Sequence, residues 1–177
     1  TRLKFSVCWG EGKMTAYDIS ALNVLVLEKH ILVRQLLTDV FREFGVPTVH
    51  STPEPSKAWD IFETSPIDII LSDWTHGLDG MAFLRKLRQD ENSPNPYVPV
   101  IVITANTELS HVLTARDTGT TEFLAKPISA KQLYTRIVSV IESNRPFIRA
   151  SSFFGPDRRR RRSAEFLESE RRKSMVA

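Results

Sequence analysis

Charged and hydroxyl side chains follow four apolar segments of this chain, at the point where each segment ends. They are Glu28-Lys29, Asp73, Thr104-Ala105 and Lys126-Pro127. In an open parallel sheet the carboxyl ends of the strands meet at one edge, and ligands bind there, so we expect these side chains to converge. Two acids, a hydroxyl and two ammonium groups would form a charged ligand site.

The segments that position these side chains alternate between strands and helices. Short apolar runs predict buried parallel strands at 24–27, 67–71, 98–103 and 123–125. Apolar residues at helical spacing predict helices over 31–44, 54–64, 79–89, 107–118 and 129–143. Ser129 is the expected N-cap of the last helix.

A weaker apolar run at 46–50 contains Pro47, which cannot donate to a strand ladder but is tolerated on an edge strand. In the doubly wound strand order 2-1-3-4-5 the second strand is an edge, so we assign 46–50 to it. Strand and helix repeated five times then predict an α/β domain with a five-stranded, doubly wound parallel sheet.

Composition is that of a globular protein, with 41% hydrophobic and 25% charged residues in 177 positions. The longest apolar stretch is far shorter than a membrane span, and a single cysteine excludes an internal disulfide, so we expect a soluble cytoplasmic protein with no membrane insertion.

We expect an N-terminal extension (1–21) around an irregular Cys8 segment, one domain (22–144), and a basic C-terminal tail (145–177) that is a linker with room for a short helix. Met14 is read as a natural start.

Four motifs of the domain resemble those of the receiver domain of two-component response regulators. The resemblance covers residues 22–144, and its fold is the flavodoxin-like receiver fold. The motifs are Val24–Arg34, Ile69–Trp74 with Leu78-Asp79-Gly80, Ile101–Ala105, and Phe123–Pro127. Each motif is common by itself, but the four together, in register on the predicted fold, strongly indicate the receiver family.

The resemblance implies that Asp73 is the nucleophile, which attacks a phosphohistidine on a histidine kinase or phosphotransfer protein to form an aspartyl phosphate. It implies that Lys126 pairs with the phosphoryl group and that the Thr104 hydroxyl hydrogen-bonds it. Phe123 matches the aromatic switch position that follows the threonine inward. Receivers also bind Mg²⁺ through an acidic pair, the acceptor and a main-chain carbonyl, here that of Thr75.

The chain departs from the family at the acidic pair, where Glu28 is followed by Lys29. An ammonium removes one ligand and repels a dication, so three alternatives are open. Lys29 could turn to solvent and leave a weakened Mg²⁺ site of Glu28, Asp73 and the Thr75 carbonyl. It could instead pair with Asp73 and replace the metal, or the site could be inactive.

The loop after Asp73 also differs, because Gly77 stands near the family's proline and the loop is one residue shorter. Trp74 is expected either to cover the mouth of the site or to be a surface aromatic without a role. His111 and the other histidines show no spacing typical of metal ligands.

The leading prediction is a stand-alone receiver, not an enzyme, that signals to an unknown downstream protein by contact. A homodimer through helix four, strand five and helix five is carried over from the family. One alternative is a pseudo-receiver that binds partners without phosphorylation. Another is a nucleic-acid binder that uses Arg158–Arg162 under receiver control, although we favour a solvated tail.

Overall fold

The computed structural model describes residues 4–8, 13–74, 79–105, 108–143, 145–150 and 153–157. The strands are β1 (Lys4–Cys8), β2 (Lys13–Tyr17), β3 (Asn23–Leu27), β4 (Thr48–Thr52), β5 (Ile69–Asp73), β6 (Val100–Thr104), β7 (Glu122–Ala125), β8 (Phe147–Ala150) and β9 (Phe153–Pro156). The helices are α1 (Ile31–Glu43), α2 (Pro55–Thr64), α3 (Gly80–Gln89), α4 (Leu109–Asp117) and α5 (Ala130–Glu142).

The central sheet is parallel and has the strand order β4-β3-β5-β6-β7. Counted from β3, this is the predicted order 2-1-3-4-5, so the doubly wound fold class is confirmed. Every residue of β5 and β6 is buried, because helices cover both faces of the sheet.

Two hydrophobic cores lie on the two faces of the sheet, since successive strand side chains point to opposite sides. Leu25 and Ile70 pack with α2 and α3 on one face. Val26 and Leu71 pack with α1 and α5 on the other. The alternation along each strand therefore places the polar strand ends between two well-packed layers.

Two boundary details bear on the sequence predictions. The predicted strand at 46–50 is β4, two residues later, and Pro47 precedes it, so the ladder loses no donor. The expected N-cap Ser129 is confirmed: its Oγ accepts the Gln132 N–H at 3.3 Å, and Gln132 Oε1 accepts the Ser129 N–H at 3.1 Å. This capping box fixes the start of α5.

An antiparallel hairpin of β1 and β2 precedes the sheet, so the expectation of an irregular segment around Cys8 is wrong. Tyr17, at the end of this hairpin, donates its backbone N–H to Tyr134 Oη at 2.9 Å and its hydroxyl to Glu142 Oε1 at 2.6 Å. Both partners lie on α5, so these bonds tie the N-terminal segment to that helix.

A second antiparallel hairpin, of β8 and β9, follows α5 where a linker was expected. Phe153 and Phe154 are each only 7% exposed, so the hairpin packs on the domain. A Cβ on Gly155 would lie 2.6 Å from the Gly119 Cα, and only glycine permits this close backbone approach. The linker expectation fails because burial of these rings depends on contacts with residues far away in the sequence.

None of the helices in the described part of the chain is long and apolar enough to cross a membrane.

Candidate functional site

The predicted site residues come together at the carboxyl edge of the sheet. Glu28 follows β3, Asp73 ends β5, Thr104 ends β6 and Lys126 follows β7. The ladder continues past the strand ends, because the Lys126 N–H donates to the Thr104 carbonyl at 2.9 Å and the Trp74 N–H donates to the Ile103 carbonyl at 2.9 Å. These bonds place Asp73, Thr104 and Lys126 at one edge, and the parallel pairing of β3 with β5 brings Glu28 to the same edge.

One ammonium group joins the two acids of the site. Lys126 Nζ lies 2.8 Å from Glu28 Oε2 and 2.9 Å from Asp73 Oδ1. Both carboxylates have 0% exposed side chains, so without a cation two negative charges would be buried side by side. The other oxygen of Glu28, Oε1, accepts the His30 backbone N–H at 2.8 Å.

The pKa of Lys126 reflects this arrangement. Burial lowers the pKa of its ammonium, but hydrogen bonds and charge attraction from Asp73 and Glu28 outweigh burial and raise the pKa above its ordinary value. Lys126 therefore stays charged at neutral pH and balances the negative charge of Asp73 and Glu28.

Lys29 lies outside this cluster. Its side chain is exposed and forms no ion pair with any residue that the structure describes. The structure opposes the alternative in which Lys29 pairs with Asp73, because the Lys29 side chain is exposed and Lys126 is the lysine beside Asp73. The other two alternatives, a weakened magnesium site and an inactive site, stay predictions.

Sequence reasoning missed the role of Arg34 in shaping the turn between β3 and α1. Arg34 Nη1 donates to the carbonyls of Glu28 at 2.7 Å and Lys29 at 2.9 Å. The signal available in the sequence was only an arginine one turn into the first helix. Its bonds hold the backbone that carries Glu28.

The start of α3 packs closely against the end of β5, which carries Asp73. A Cβ on Gly80 would overlap the Asp73 carbonyl oxygen and lie 2.8 Å from Ser72 Oγ, so this position requires glycine. Asp79 caps the helix, with Oδ1 accepting the Ala82 N–H at 2.7 Å. Thr75 and Gly77, the predicted carbonyl ligand and the loop glycine, lie outside the described residues.

The remaining predicted residues line the same edge or its flank. Thr104 is buried, and Phe123 is half-buried against the core on the α2 and α3 face. Trp74 is half-buried too, and its ring lies against His111 of α4 with centroids 4.9 Å apart. The contact with His111 could not be found from the sequence, because nothing in the spacing links the two residues.

The carboxylates of Glu28 and Asp73 are ligands of the type that Mg²⁺ prefers, because this ion binds oxygen atoms and often takes one or two carboxylates together with phosphate oxygens. They do not make a complete protein cage: no group of three His, Cys, Asp or Glu side chains that could hold a metal occurs among the described residues. The site therefore has Glu28 and Asp73 as candidate ligands, and Lys126 already contacts both.

Comparison with known proteins decides the family. The family model of the response regulator receiver domain matches residues 24–138. The chain belongs to the response regulator receiver family. Among relatives, chemotaxis protein CheY from Pseudomonas aeruginosa is 22% identical over 122 residues, covering 68% of this chain and 97% of CheY. The phosphate regulon regulator PhoB from Escherichia coli is 28% identical over 127 residues, covering 71% of this chain and 54% of PhoB.

Solved receiver structures share the fold. The receiver domain of the histidine kinase CKI1 from Arabidopsis thaliana, complexed with Mg²⁺ and BeF₃⁻, matches with a TM-score of 0.62 at 21% identity, covering 71% of this chain and 93% of that one. A response regulator from Thermotoga maritima matches with a TM-score of 0.60 at 17% identity, covering 69% and 98%. The receiver assignment places this protein in two-component signalling.

Both hairpins extend beyond the receiver match. Residues 4–17 precede the matched range and residues 147–156 follow it. The basic run Arg158–Arg162 lies outside the described residues, so its predicted contacts stay a prediction.

Proposed function

We propose that this receiver is a phosphoacceptor in which Asp73 takes a phosphoryl group from a phosphohistidine of a histidine kinase or phosphotransfer protein. The observation that supports this best is the pair of fully buried carboxylates held by the Lys126 ammonium at 2.8 and 2.9 Å. Phosphoryl transfer depends mainly on positioning and on positive charge near the phosphoryl oxygens. Under this proposal the protein is a signalling module, not a metabolic enzyme.

In the proposed step, an oxygen of Asp73 attacks the phosphorus atom while the bond from phosphorus to the donor's imidazole nitrogen breaks. The imidazole nitrogen keeps the electron pair of that bond and takes a proton from solvent. Lys126, which contacts Asp73 Oδ1 beforehand, would neutralise the charge of the arriving phosphoryl group. The buried Thr104, at the end of the neighbouring strand, would donate its hydroxyl to a phosphoryl oxygen.

Glu28 and Asp73 are the residues that would hold Mg²⁺, with the Thr75 carbonyl as the third ligand that the family pattern implies. When bound, the ion would supply positive charge to the phosphoryl oxygens. Because Lys29 replaces the second acid of the family pattern, we propose weaker magnesium binding than at a site with both acids.

The proposed output is a change in the surface formed by α4, β7 and α5. Inward movement of the Thr104 side chain would leave room for the half-buried Phe123 ring to follow. The altered surface would bind a downstream protein or a second copy of this chain. The proposal includes a cytoplasmic location, which suits the single cysteine.

A second candidate is a pseudo-receiver that binds its partner without phosphorylation. It is favoured by Lys29 in place of an acid, and by the fact that Lys126 already neutralises part of the charge of both carboxylates. The two candidates differ in whether Asp73 must be able to react.

The deciding experiment follows intact mass after incubation of the full chain with acetyl phosphate, with and without Mg²⁺. We expect one added phosphate in the parent and none in Asp73→Asn. A gain that needs Mg²⁺ supports the two-carboxylate metal site. No gain in the parent, but a gain in Lys29→Asp, would replace the phosphoacceptor with the pseudo-receiver.

A further inference from the structure

An exposed aromatic side chain, Tyr97, lies at the amino end of the sheet, whereas Asp73 lies at the carboxyl end. The Tyr97 ring contacts the rings of Phe147 and Phe154 in the C-terminal hairpin, with centroids 5.2 Å apart in each case. Phe154 is buried, but Tyr97 is 55% exposed. A large ring that rests on other rings and still reaches solvent offers a firm apolar face to a ligand.

A cation without an acidic partner lies beside these rings. The Arg149 guanidinium is 4.5 Å from the centroid of the Phe154 ring. Its side chain is exposed and forms no ion pair with any residue that the structure describes. The nearby Arg145 differs, because it lies 3.4 Å from Glu122. The charge of Arg149 is therefore available to an anionic ligand.

The hairpin of β8 and β9, which carries two of the rings and Arg149, is fixed to the domain. A Cβ on Gly155 would lie 2.6 Å from the Gly119 Cα, so the two backbones are in direct contact. The Asp157 N–H donates to the Pro146 carbonyl at 2.9 Å and closes the base of the hairpin. The surface is thus formed before a ligand arrives, and preformed sites lose less entropy on binding.

The chain continues from this surface into five consecutive arginines, Arg158–Arg162. Pro156, the last residue of β9, pairs with Phe147, and only Asp157 separates Pro156 from the run. A row of guanidinium groups favours a polyanion with regularly spaced phosphates. The fold therefore adds an exposed aromatic ring from a distant part of the sequence to a run that contains no aromatic residue of its own.

We propose that Tyr97 and Arg149, together with the run Arg158–Arg162, bind single-stranded nucleic acid. A base would stack on the Tyr97 ring, and Arg149 would donate to a neighbouring phosphate. The run would bind further phosphates along the strand. Cationic tracks combined with aromatic stacking faces bind single strands with little sequence preference. A duplex would bind less well, because its bases are already stacked on each other and cannot reach the ring.

The first test measures, by fluorescence anisotropy, how three labelled probes bind the full chain. They are a mixed-sequence single strand, a strand of the same length with abasic units in place of the bases, and the duplex. We expect the first to bind about tenfold more tightly than either of the others, since only its bases can stack on the protein. Equal binding of the normal and abasic strands, or tighter binding of the duplex, would overturn the proposal.

DNA and RNA strands share the bases and phosphates on which the proposal rests, and only RNA adds a 2′-hydroxyl. Both are therefore tested against their abasic counterparts. The expected ratio in either one supports the proposal, and the one that binds more tightly identifies the source of the strand. A ratio near one for both would overturn the proposal.

The second test separates stacking from charge with single variants. Tyr97→Leu should weaken the normal strand about tenfold and leave the abasic strand unchanged, whereas Tyr97→Phe keeps a ring and should bind both normally. Arg149→Gln should weaken both strands equally and reduce the slope of log affinity against log salt by about 0.7. The matched controls Ile148→Ala, exposed in the same hairpin, and Arg85→Gln, exposed on α3, should change neither strand.

A loss in Tyr97→Leu that is equal for the two strands would reflect damage to the hairpin and would contradict stacking. Replacement of Arg158–Arg162 by glutamines should weaken both strands and leave the ratio between them unchanged. If that ratio fell to one, the described surface would not stack bases, and the proposal would be wrong.

An anionic membrane is the other ligand that an aromatic and basic surface could bind. If the full chain sediments with phosphatidylserine vesicles and binds neither single strand, the surface belongs to a membrane and the proposal is overturned. Asp73→Asn should bind the single strand normally, because the inference does not depend on phosphorylation. A failure here is therefore separate from a failure of the phosphoacceptor proposal.

Discussion

Lys126 and Arg88 are both largely buried cations that lie near opposite ends of β7. Their partners differ, since Lys126 contacts carboxylates and Arg88 contacts backbone carbonyls. Lys126 contacts two carboxylates, which raise its pKa against the effect of burial. Arg88, 2% exposed, donates to the carbonyls of Gly119 at 3.1 Å and Pro96 at 2.7 Å. Burial lowers the pKa of Arg88 to about 9.

The difference shows that burial of a charge does not by itself mark a functional site. Carbonyl groups offer Arg88 fixed dipoles, and the Phe147 ring lies 5.2 Å from its guanidinium, so the cation joins the hairpin to the domain. Lys126 instead pairs with the negative charges of two carboxylates, and its ammonium can also bind the negative charge of a phosphoryl group. The charge on the partners therefore separates a structural cation from one suited to chemistry.

The largest expected effect comes from removing the cation between the acids. Lys126→Met removes the ammonium that balances the buried charges of Glu28 and Asp73, so we expect the free energy of unfolding to fall by about 3–5 kcal/mol. Urea unfolding at pH 7 measures this. The exposed Lys131→Met on α5 is the control and should change little. Adding Asp73→Asn should restore at least half of the loss, and a loss that stays complete would contradict the charge argument.

A smaller loss is expected when the hairpin over Arg88 is pushed away. Gly155→Ala places a methyl group against the Gly119 backbone, and we expect it to cost about 1–3 kcal/mol of unfolding free energy. Hydrogen exchange of amides in β8 and β9 should accelerate with it. Ile148→Ala, at a side chain 40% exposed in the same hairpin, should cost less. Equal costs would mean that the glycine contact does not hold the hairpin.

The two cations should also differ in pH dependence. The pKa of Arg88 is lower in the folded state, so above pH 9 the unfolded chain binds more protons and stability rises with pH. Relative to Arg88→Met, the parent should therefore gain about 1 kcal/mol between pH 8 and pH 10.

The contribution of Lys126 to stability changes with pH in the opposite direction, because its pKa is raised on folding. Its contribution is fully present below the unfolded value of 10.5 and is lost as pH rises through the higher folded value. The difference between the parent and Lys126→Met should thus be flat from pH 8 to pH 10. The free energy of unfolding is measured with urea at each pH. If its difference from the parent changed with pH in the same way for Arg88→Met and Lys126→Met, the contrast between the two cations would be wrong.

The smallest stability effect is expected at the exposed Lys29. Lys29→Gln should change the free energy of unfolding by less than about 0.5 kcal/mol, because an exposed side chain without an ion pair contributes little. Thermal unfolding at low and high salt measures this. A loss above about 1 kcal/mol that salt reduces would show that Lys29 pairs with Asp73 in solution, which is the alternative opposed by the structure.

Much of the receiver core could be predicted from the sequence because its signals are local. The apolar runs Ile69–Leu71 in β5 and Val100–Ile103 in β6 indicate strands buried on both faces, and the N-cap Ser129 marks the start of α5. The strand predicted at 46–50 begins two residues before β4, because β4 is only partly buried and its pattern of apolar residues is weak. Propensity and periodicity indicate where an element exists better than where it ends.

The hairpin of β8 and β9 could not be predicted, because its stability comes from distant partners. Phe147 and Phe154 pack with Tyr97, at centroid distances of 5.2 Å for each, and Tyr97 lies before β6. The segment itself shows serines and no alternation of polar and apolar residues. Sequence reasoning therefore interpreted it as a linker.

The side chains at the carboxyl edge of the sheet could be predicted from the sequence, because strand ends follow from local patterns and few strand orders suit a doubly wound sheet. Glu28, Asp73, Thr104 and Lys126 are all found there. Which lysine contacts the acids and which faces solvent could not be predicted, since the direction of a side chain depends on the space and charge that other elements provide in the folded chain.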